Sequence, residues 1–130
     1  TPSRPLSLLR LALIAIGLFF IFGVGPMMLI IWPSGWSWGG DPHSHYPAMI
    51  IGIYATLGAF LVMAAKDPFA HASLIWFTVW SSVVHAGIMT YQGITDPAEH
   101  ANLAGDVPAL YLVAIVLGVL MLLSKNARSI

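Results

Sequence analysis

Four apolar stretches separated by short polar links constrain this chain more than any other feature. They lie near residues 9–31, 46–65, 70–92 and 107–124. An α-helix needs about 20 mostly apolar residues to cross the hydrocarbon core of a bilayer. Hydrophobic residues make up 58% of the chain and charged residues 8%, whereas charged residues make up about 25% of an ordinary soluble domain. The sequence therefore predicts one all-α domain over 1–130, a transmembrane four-helix bundle.

The placement of charge predicts how the four spans are oriented. Four spans put the N-terminus, the second link and the C-terminus on one side, where all basic residues fall: Arg4, Arg10, Lys66, Lys125 and Arg128. The other side carries acidic residues without Lys or Arg: Asp41, Asp96, Glu99 and Asp106. Loops rich in Lys and Arg face the cytoplasm. We predict an up-down-up-down bundle with cytoplasmic N- and C-termini, a multi-pass protein of the bacterial inner membrane.

Small residues and prolines predict details of the spans. The first stretch should kink near its far end, because Gly23, Gly25 and Pro26 interrupt it. The link Lys66-Asp67-Pro68 is so short that the second and third spans should be antiparallel neighbours. A small-residue face on the second span should let another helix approach closely; it consists of Ala48, Gly52, Ala55 and Ala59.

Capping signals predict a short surface helix between the third and fourth spans, over residues 97–103. Asp96 fits the N-cap, Pro97 the first helical position and Glu99 the third position of a capping box. Gly105 would end this helix, and Asp106 would cap the last span.

A polar stripe runs along the third span. Its members are seven residues apart and so share one helix face: His71, Thr78, His85 and Gln92. Such a stripe should face protein or water, because lipid cannot satisfy polar groups. His85 is the strongest functional candidate, since an ionisable residue within a span marks a site.

Three roles are open for His85. It could donate or accept a hydrogen bond from Ser, Thr or Tyr across the bundle. It could ligate the metal of a porphyrin or chlorin, a haem iron or a chlorophyll-type magnesium, with Ser81 and Met89 beside it as cofactor-binding residues. It could also relay protons together with Tyr91, Gln92 or Tyr111.

The pattern Asp-Pro-x-x-His occurs three times, beginning at Asp41, Asp67 and Asp96. Helix capping alone can explain it, because Asp favours the N-cap and Pro the first helical position. The alternative is a transition-metal site on the outer face, since imidazole and carboxylate ligands suit Cu, Zn or Fe. Its ligands would be His43, His45, His100 and Asp106, with His85 below them.

Several function classes lack support in the sequence. The chain has no cysteine, which excludes thiolate chemistry and disulfides. Its net charge is zero, so nothing indicates a nucleic-acid partner. The spans hold no acidic residue, which disfavours a coupled transporter.

Two segments, HSHYPAMIIGIYATLGAFLVMAAKDPFAHASLIWFTVWSSVVHAGIM and GDVPALYL, resemble small bacterial four-span membrane proteins of an uncharacterised family. The resemblance implies the four-span fold and carries no activity. We favour a non-enzymatic accessory or cofactor-binding subunit of a larger membrane complex, of respiratory or photosynthetic type. Its partners would be the lipid bilayer and other transmembrane subunits or a second copy. The alternatives are redox or hydrolytic chemistry at the outer-face metal site, and a small permease or proton path.

Overall fold

Four long helices dominate the computed structural model, which describes residues 3–38 and 44–128. They are α1 (Arg4–Phe22), α2 (Tyr46–Ala64), α3 (Ala72–Thr95) and α4 (Asp106–Arg128). All four are long and apolar enough to cross a membrane. The 19 residues of α1 rise about 28 Å at 1.5 Å per residue. The described residues contain helices and turns without a β-strand, so the prediction of an all-helical chain with four apolar helices is confirmed.

The first apolar stretch does not continue as one regular helix to its end. Ser3 caps α1 by accepting a hydrogen bond from the Leu6 N–H at 3.3 Å, and α1 ends at Phe22. A single turn, Val24–Pro26, and a π-helix, Met27–Ile31, follow. The irregularity falls where the glycines and proline predict it, because Pro26 has no N–H and its ring crowds the carbonyl four residues earlier.

The helices pack in the order α2, α1, α4, α3. α1 lies along both α2 and α4, and α3 lies along α4, whereas α2 and α3 contact each other sparsely. The Arg10 guanidinium donates to the Lys66 carbonyl at 3.3 Å, and the rings of Phe20 and Tyr54 meet with centroids 5.0 Å apart. Although the link between α2 and α3 is short, most of their length therefore forms an open seam, here called the α2–α3 seam.

Two glycines bring α1 and α2 into backbone contact. A Cβ atom on Gly17 would lie 2.7 Å from the Gly58 carbonyl oxygen, and one on Gly58 would collide with the Gly17 carbonyl. The small-residue face predicted for α2 is not this contact. Ala48, Gly52 and Ala59 are exposed, because α2 turns the face that carries Gly58 and Leu61 towards α1 instead.

The apolar core is concentrated in one half of the bundle. Leu9 and Leu13 from the start of α1 meet Leu61 from the end of α2, and all three are fully buried. Ile75 from the start of α3 and Leu117 from α4 complete this core. The half near Arg10 and Lys66 is thus densely filled, whereas the opposite half contains a cavity.

Adding one methyl group at the α1–α2 contact should destabilise the protein. We expect Gly58→Ala to lower the free energy of unfolding by about 1–3 kcal/mol, the usual cost of forcing extra volume into a packed interface. The fraction of monodisperse protein that survives heating in mild detergent measures this.

Gly52→Ala is the matched control on the same helix, because a Cβ at Gly52 meets no atom within 4 Å. We expect it to leave stability unchanged or raise it by up to about 1 kcal/mol, since Ala favours helix over Gly. Equal effects of the two substitutions would contradict the assigned contact.

Candidate functional site

A cavity of about 540 Å³ lies in the half of the bundle away from Arg10 and Lys66. All four long helices and the turn at residues 33–38 contribute to its wall. Most of the wall is apolar; the lining includes Phe19, Phe20, Val24, Met28, Ile50, Ile88, Met89, Ala109, Leu110 and Val113. The polar or amphipathic lining residues are Trp36, Trp38, Tyr46, Tyr54, His85, Gln92 and Asp106.

The exposure of the lining residues shows where the cavity opens. On the α1 and α4 side, Phe20 is 3% exposed and Leu110 is 7% exposed. On the α2 and α3 side, Tyr46 is 73% exposed and Ile88 is 54% exposed. Phe19 on α1 is also exposed, at 39%, but α2 and α3 contact each other sparsely, so we infer that the mouth lies along the α2–α3 seam, on the side of the bundle.

A hydrogen bond between Tyr54 and His85 crosses the seam inside the cavity. The Tyr54 hydroxyl lies 2.9 Å from His85 Nδ1, and the two rings are stacked with centroids 6.3 Å apart. Phe20 also contacts Tyr54, edge to face, with ring centroids 5.0 Å apart. This arrangement fixes the orientation of the imidazole, and it matches the first of the three roles that the sequence leaves open for His85.

The pair lies deep along the helices. Tyr54 is eight residues from the start of α2, which corresponds to about 12 Å at 1.5 Å per residue. His85 is ten residues from the end of α3, or about 15 Å. The polar pair thus lies well away from the helix ends, in a cavity whose wall is mostly apolar.

A second polar group closes the end of the cavity. The Trp38 indole N–H donates to Asp106 Oδ2 at 2.8 Å. The Asn102 amide donates to Asp106 Oδ1 at 3.3 Å and to the Ser37 carbonyl at 3.1 Å. Asp106 is 8% exposed and Asn102 is fully buried. These bonds hold the turn at 33–38 against the start of α4.

Gly105 permits that attachment. A Cβ atom on Gly105 would collide with the Gly35 carbonyl, so the two backbones can touch only because Gly105 has no side chain. The segment before Gly105, Pro97–Leu103, is a 3₁₀-helix, and Asp96 caps it by accepting from the Ala98 N–H at 3.1 Å. Asp106 itself does not lie on a solvated acidic rim, because its carboxylate is buried between Trp38 and Asn102.

The residues predicted around His85 divide into two groups. Met89 and Gln92 line the cavity with His85. Ser81 does not line it, and its hydroxyl instead donates to the Thr78 carbonyl of the same helix at 3.4 Å. His71 precedes α3 in a 3₁₀ turn, Pro68–His71, and its Nδ1 donates to the Asp67 carbonyl at 3.1 Å.

The two tyrosines predicted to relay protons with His85 are not bonded to it in the structure. Tyr111 pairs with Thr90 at 3.1 Å, whereas Tyr91 is 71% exposed. The tyrosine whose hydroxyl pairs with His85 is Tyr54 instead.

The predicted outer-face metal site cannot be assembled from the described residues. His43 and Asp41 lie outside residues 3–38 and 44–128. His45 and His100 are exposed, and Asp106 is engaged by Trp38 and Asn102. Within those two ranges no three His, Asp or Glu side chains are grouped so that they could hold a metal ion. A site that includes His43 stays a prediction.

Sequence reasoning did not single out Tyr54, Trp36 or Trp38 as site residues. Tyr54 carried one usable signal, since a buried Tyr hydroxyl within an apolar span needs a hydrogen-bond partner. Trp38 and Asp106 are 68 residues apart, and no local pattern joins them. Trp36 and Trp38 follow an apolar stretch, and tryptophans are common at such positions because they form interfacial aromatic belts, so their position alone does not indicate a cavity.

Removing the Trp38 indole N–H should loosen the closed end of the cavity. We expect Trp38→Phe to lower the free energy of unfolding by about 1–3 kcal/mol, because a buried carboxylate loses a donor. Thermal survival in mild detergent measures the effect. Trp80→Phe is the control, since Trp80 is 63% exposed on α3; a loss for Trp80→Phe as large as that for Trp38→Phe would contradict the role of this bond.

Comparison with known proteins adds a family but no activity. No curated protein and no solved structure matches the chain. A family model described as "Family of unknown function (DUF6632)" matches residues 3–129. That range includes every described residue of the cavity wall and nearly the whole sequence. The chain therefore belongs to the DUF6632 family.

Proposed function

We propose that this protein is a non-enzymatic, cofactor-binding or lipid-binding membrane module that holds one lipophilic small molecule. The molecule enters from the bilayer through the α2–α3 seam and occupies the cavity. The observation that carries the proposal is a mostly apolar cavity that opens sideways and contains the Tyr54–His85 pair.

The size and wall of the cavity support a small-molecule ligand. Ligand sites in proteins usually have volumes of about 300–1,000 Å³, with apolar walls and a few convergent polar groups; the cavity here measures about 540 Å³. Its mouth lies between helices apolar enough to span a membrane. A ligand dissolved in lipid could therefore enter without crossing water.

The polar lining groups favour binding over catalysis. Asp106 is bonded to Trp38, and His85 is bonded to Tyr54. The described lining contains no Ser, Thr, Cys or Lys side chain that His85 could activate as a nucleophile. These features support a role in holding a molecule rather than cleaving one.

For orientation we propose the up-down-up-down topology with both termini cytoplasmic. The Arg10–Lys66 contact brings two of the basic residues to one end of the bundle, and Asp96, Glu99 and Asp106 belong to the opposite end. Loops with Lys and Arg face the cytoplasm. The cavity then lies in the outer half of the bacterial inner membrane.

The proposed setting is a larger membrane complex. The outward side of α2 exposes Ala48, Gly52 and Ala59, and small residues let helices of other subunits, or of a second copy, approach closely. A small binding module needs such neighbours if its ligand is to be used by another protein.

Filling the cavity should remove the ligand. We expect the protein, extracted from native membranes in mild detergent, to retain one lipophilic molecule detectable by native mass spectrometry. Ala109→Phe should abolish this adduct, because the added ring occupies the cavity that Ala109 lines.

Leu112→Phe is the matched control on α4, since Leu112 is 61% exposed on the outside of the bundle. It should retain the adduct. The proposal fails if the unchanged protein carries no adduct, or if Ala109→Phe retains it.

The orientation can be tested by labelling, because the chain has no cysteine. Lys66→Cys and Ala98→Cys place single thiols at exposed positions on opposite sides. In intact cells a membrane-impermeant maleimide should modify only Ala98→Cys, and after permeabilisation it should modify both. Labelling of Lys66→Cys in intact cells would reverse the proposed orientation.

A further inference from the structure

The Tyr54–His85 pair has one hydrogen-bond donor more than it uses. A neutral imidazole has one N–H and a tyrosine has one O–H, and only one of these two protons lies in the bond between Tyr54 and His85. If the hydroxyl donates to Nδ1, the Nε2–H is left over. If Nδ1–H donates to the hydroxyl oxygen, the Tyr54 O–H is left over. In both tautomers one donor remains.

That donor has no partner within the described residues. No second hydrogen bond joins either side chain to residues 3–38 or 44–128. Both side chains line the cavity, whose wall is mostly apolar, and a polar group left unpaired in an apolar environment costs about 1–3 kcal/mol. A hydrogen-bond acceptor on the ligand would satisfy it.

The depth of the pair disfavours a charged headgroup as this acceptor. The pair lies about 12–15 Å from the helix ends, and no Lys or Arg belongs to the described lining. A phosphate or carboxylate at that depth would be an unpaired charge in an apolar environment, which is expensive. A neutral carbonyl oxygen carries no such cost.

Aromatic rings shape the same region for a flat molecule. Phe20 and Tyr54 pack edge to face at 5.0 Å, and Phe19 and Trp36 do so at 5.8 Å. Aromatic rings favour offset-stacked or edge-to-face contact with a further ring. The remaining wall, formed by aliphatic side chains such as Ile50 and Ile88, suits a hydrocarbon tail that leaves through the α2–α3 seam.

We propose that the ligand is a lipid-soluble ring compound with a neutral carbonyl oxygen, the chemical class of the isoprenoid quinones. The Tyr54–His85 pair donates its remaining hydrogen bond to that oxygen. This inference rests on the proposed binding function and names the chemistry of the ligand.

The test uses decylubiquinone as the probe and decylbenzene as an oxygen-free ring compound with the same length of tail. Trp36 and Trp38 line the cavity, so quenching of tryptophan fluorescence by the quinone reports binding, and decylbenzene is measured as its competitor. The unchanged protein should bind the quinone about tenfold or more tightly than decylbenzene, as expected for one buried hydrogen bond.

The decisive variant is the double substitution Tyr54→Phe with His85→Leu. Each single substitution leaves one donor in place, so each should weaken quinone binding only a few-fold. The double variant removes both donors and should weaken it about tenfold or more, while decylbenzene still competes for the cavity. The control pair is Tyr91→Phe with His100→Leu, since both residues are exposed; it should bind the quinone unchanged.

The outcomes separate this inference from the function on which it rests. If the quinone binds no more tightly than decylbenzene, or if the double variant binds it normally while Ala109→Phe abolishes binding, the carbonyl ligand is wrong and the cavity function stands. If neither compound binds the unchanged protein, the cavity function itself is overturned. Retained decylbenzene competition in the double variant shows that a loss of quinone binding is not a loss of folding.

Discussion

The close approach of α1 and α2 at Gly17 and Gly58 determines the shape of the bundle. Two helix backbones can touch there because neither residue has a side chain. The contact packs α2 against α1. The other large interfaces between long helices are those of α1 with α4 and of α3 with α4. With α2 held on one side and α3 on the other, their shared boundary stays sparse. The cavity and its lateral mouth follow from this distribution of contacts.

Two hydrogen bonds in the open half join side chains that are far apart in the sequence. Trp38 donates to Asp106, and Tyr54 pairs with His85, whereas the buried Trp36 Nε1 has no hydrogen-bond partner among the described residues. Within a bilayer, a polar group that finds no partner in the protein finds none in the surrounding lipid tails either. The same bonds that satisfy these groups also connect the turn at 33–38 to α4 and connect α2 to α3. The hydrogen bonds that pair these polar groups therefore also position the wall of the cavity.

The sequence predicted the coarse fold because a membrane-spanning helix needs only an apolar composition over about 20 residues, and the chain contains four stretches of that kind. It also predicted the irregular end of the first stretch, since Pro26 acts through its own covalent geometry. It did not predict which face of α2 packs inward, because Gly58 and the exposed Gly52 differ only in what lies opposite them. His85 was identifiable from its position within a span, but its partner Tyr54 is 31 residues away and depends on how the helices cross. The partner of Asp106 was hidden for a similar reason, because Trp38, which donates to its carboxylate, is 68 residues away.

The turn at 33–38 affects how a bound molecule would exchange between the cavity and its surroundings. Because Ser37 and Trp38 are hydrogen-bonded to Asn102 and Asp106, aromatic side chains cover one end of the cavity, while the α2–α3 seam is left open. In the membrane arrangement that we propose, a molecule inside would then equilibrate with the pool dissolved in the bilayer rather than with the aqueous phase. Its occupancy would follow its mole fraction among the lipids, so that a compound scarcely soluble in water could still saturate the protein.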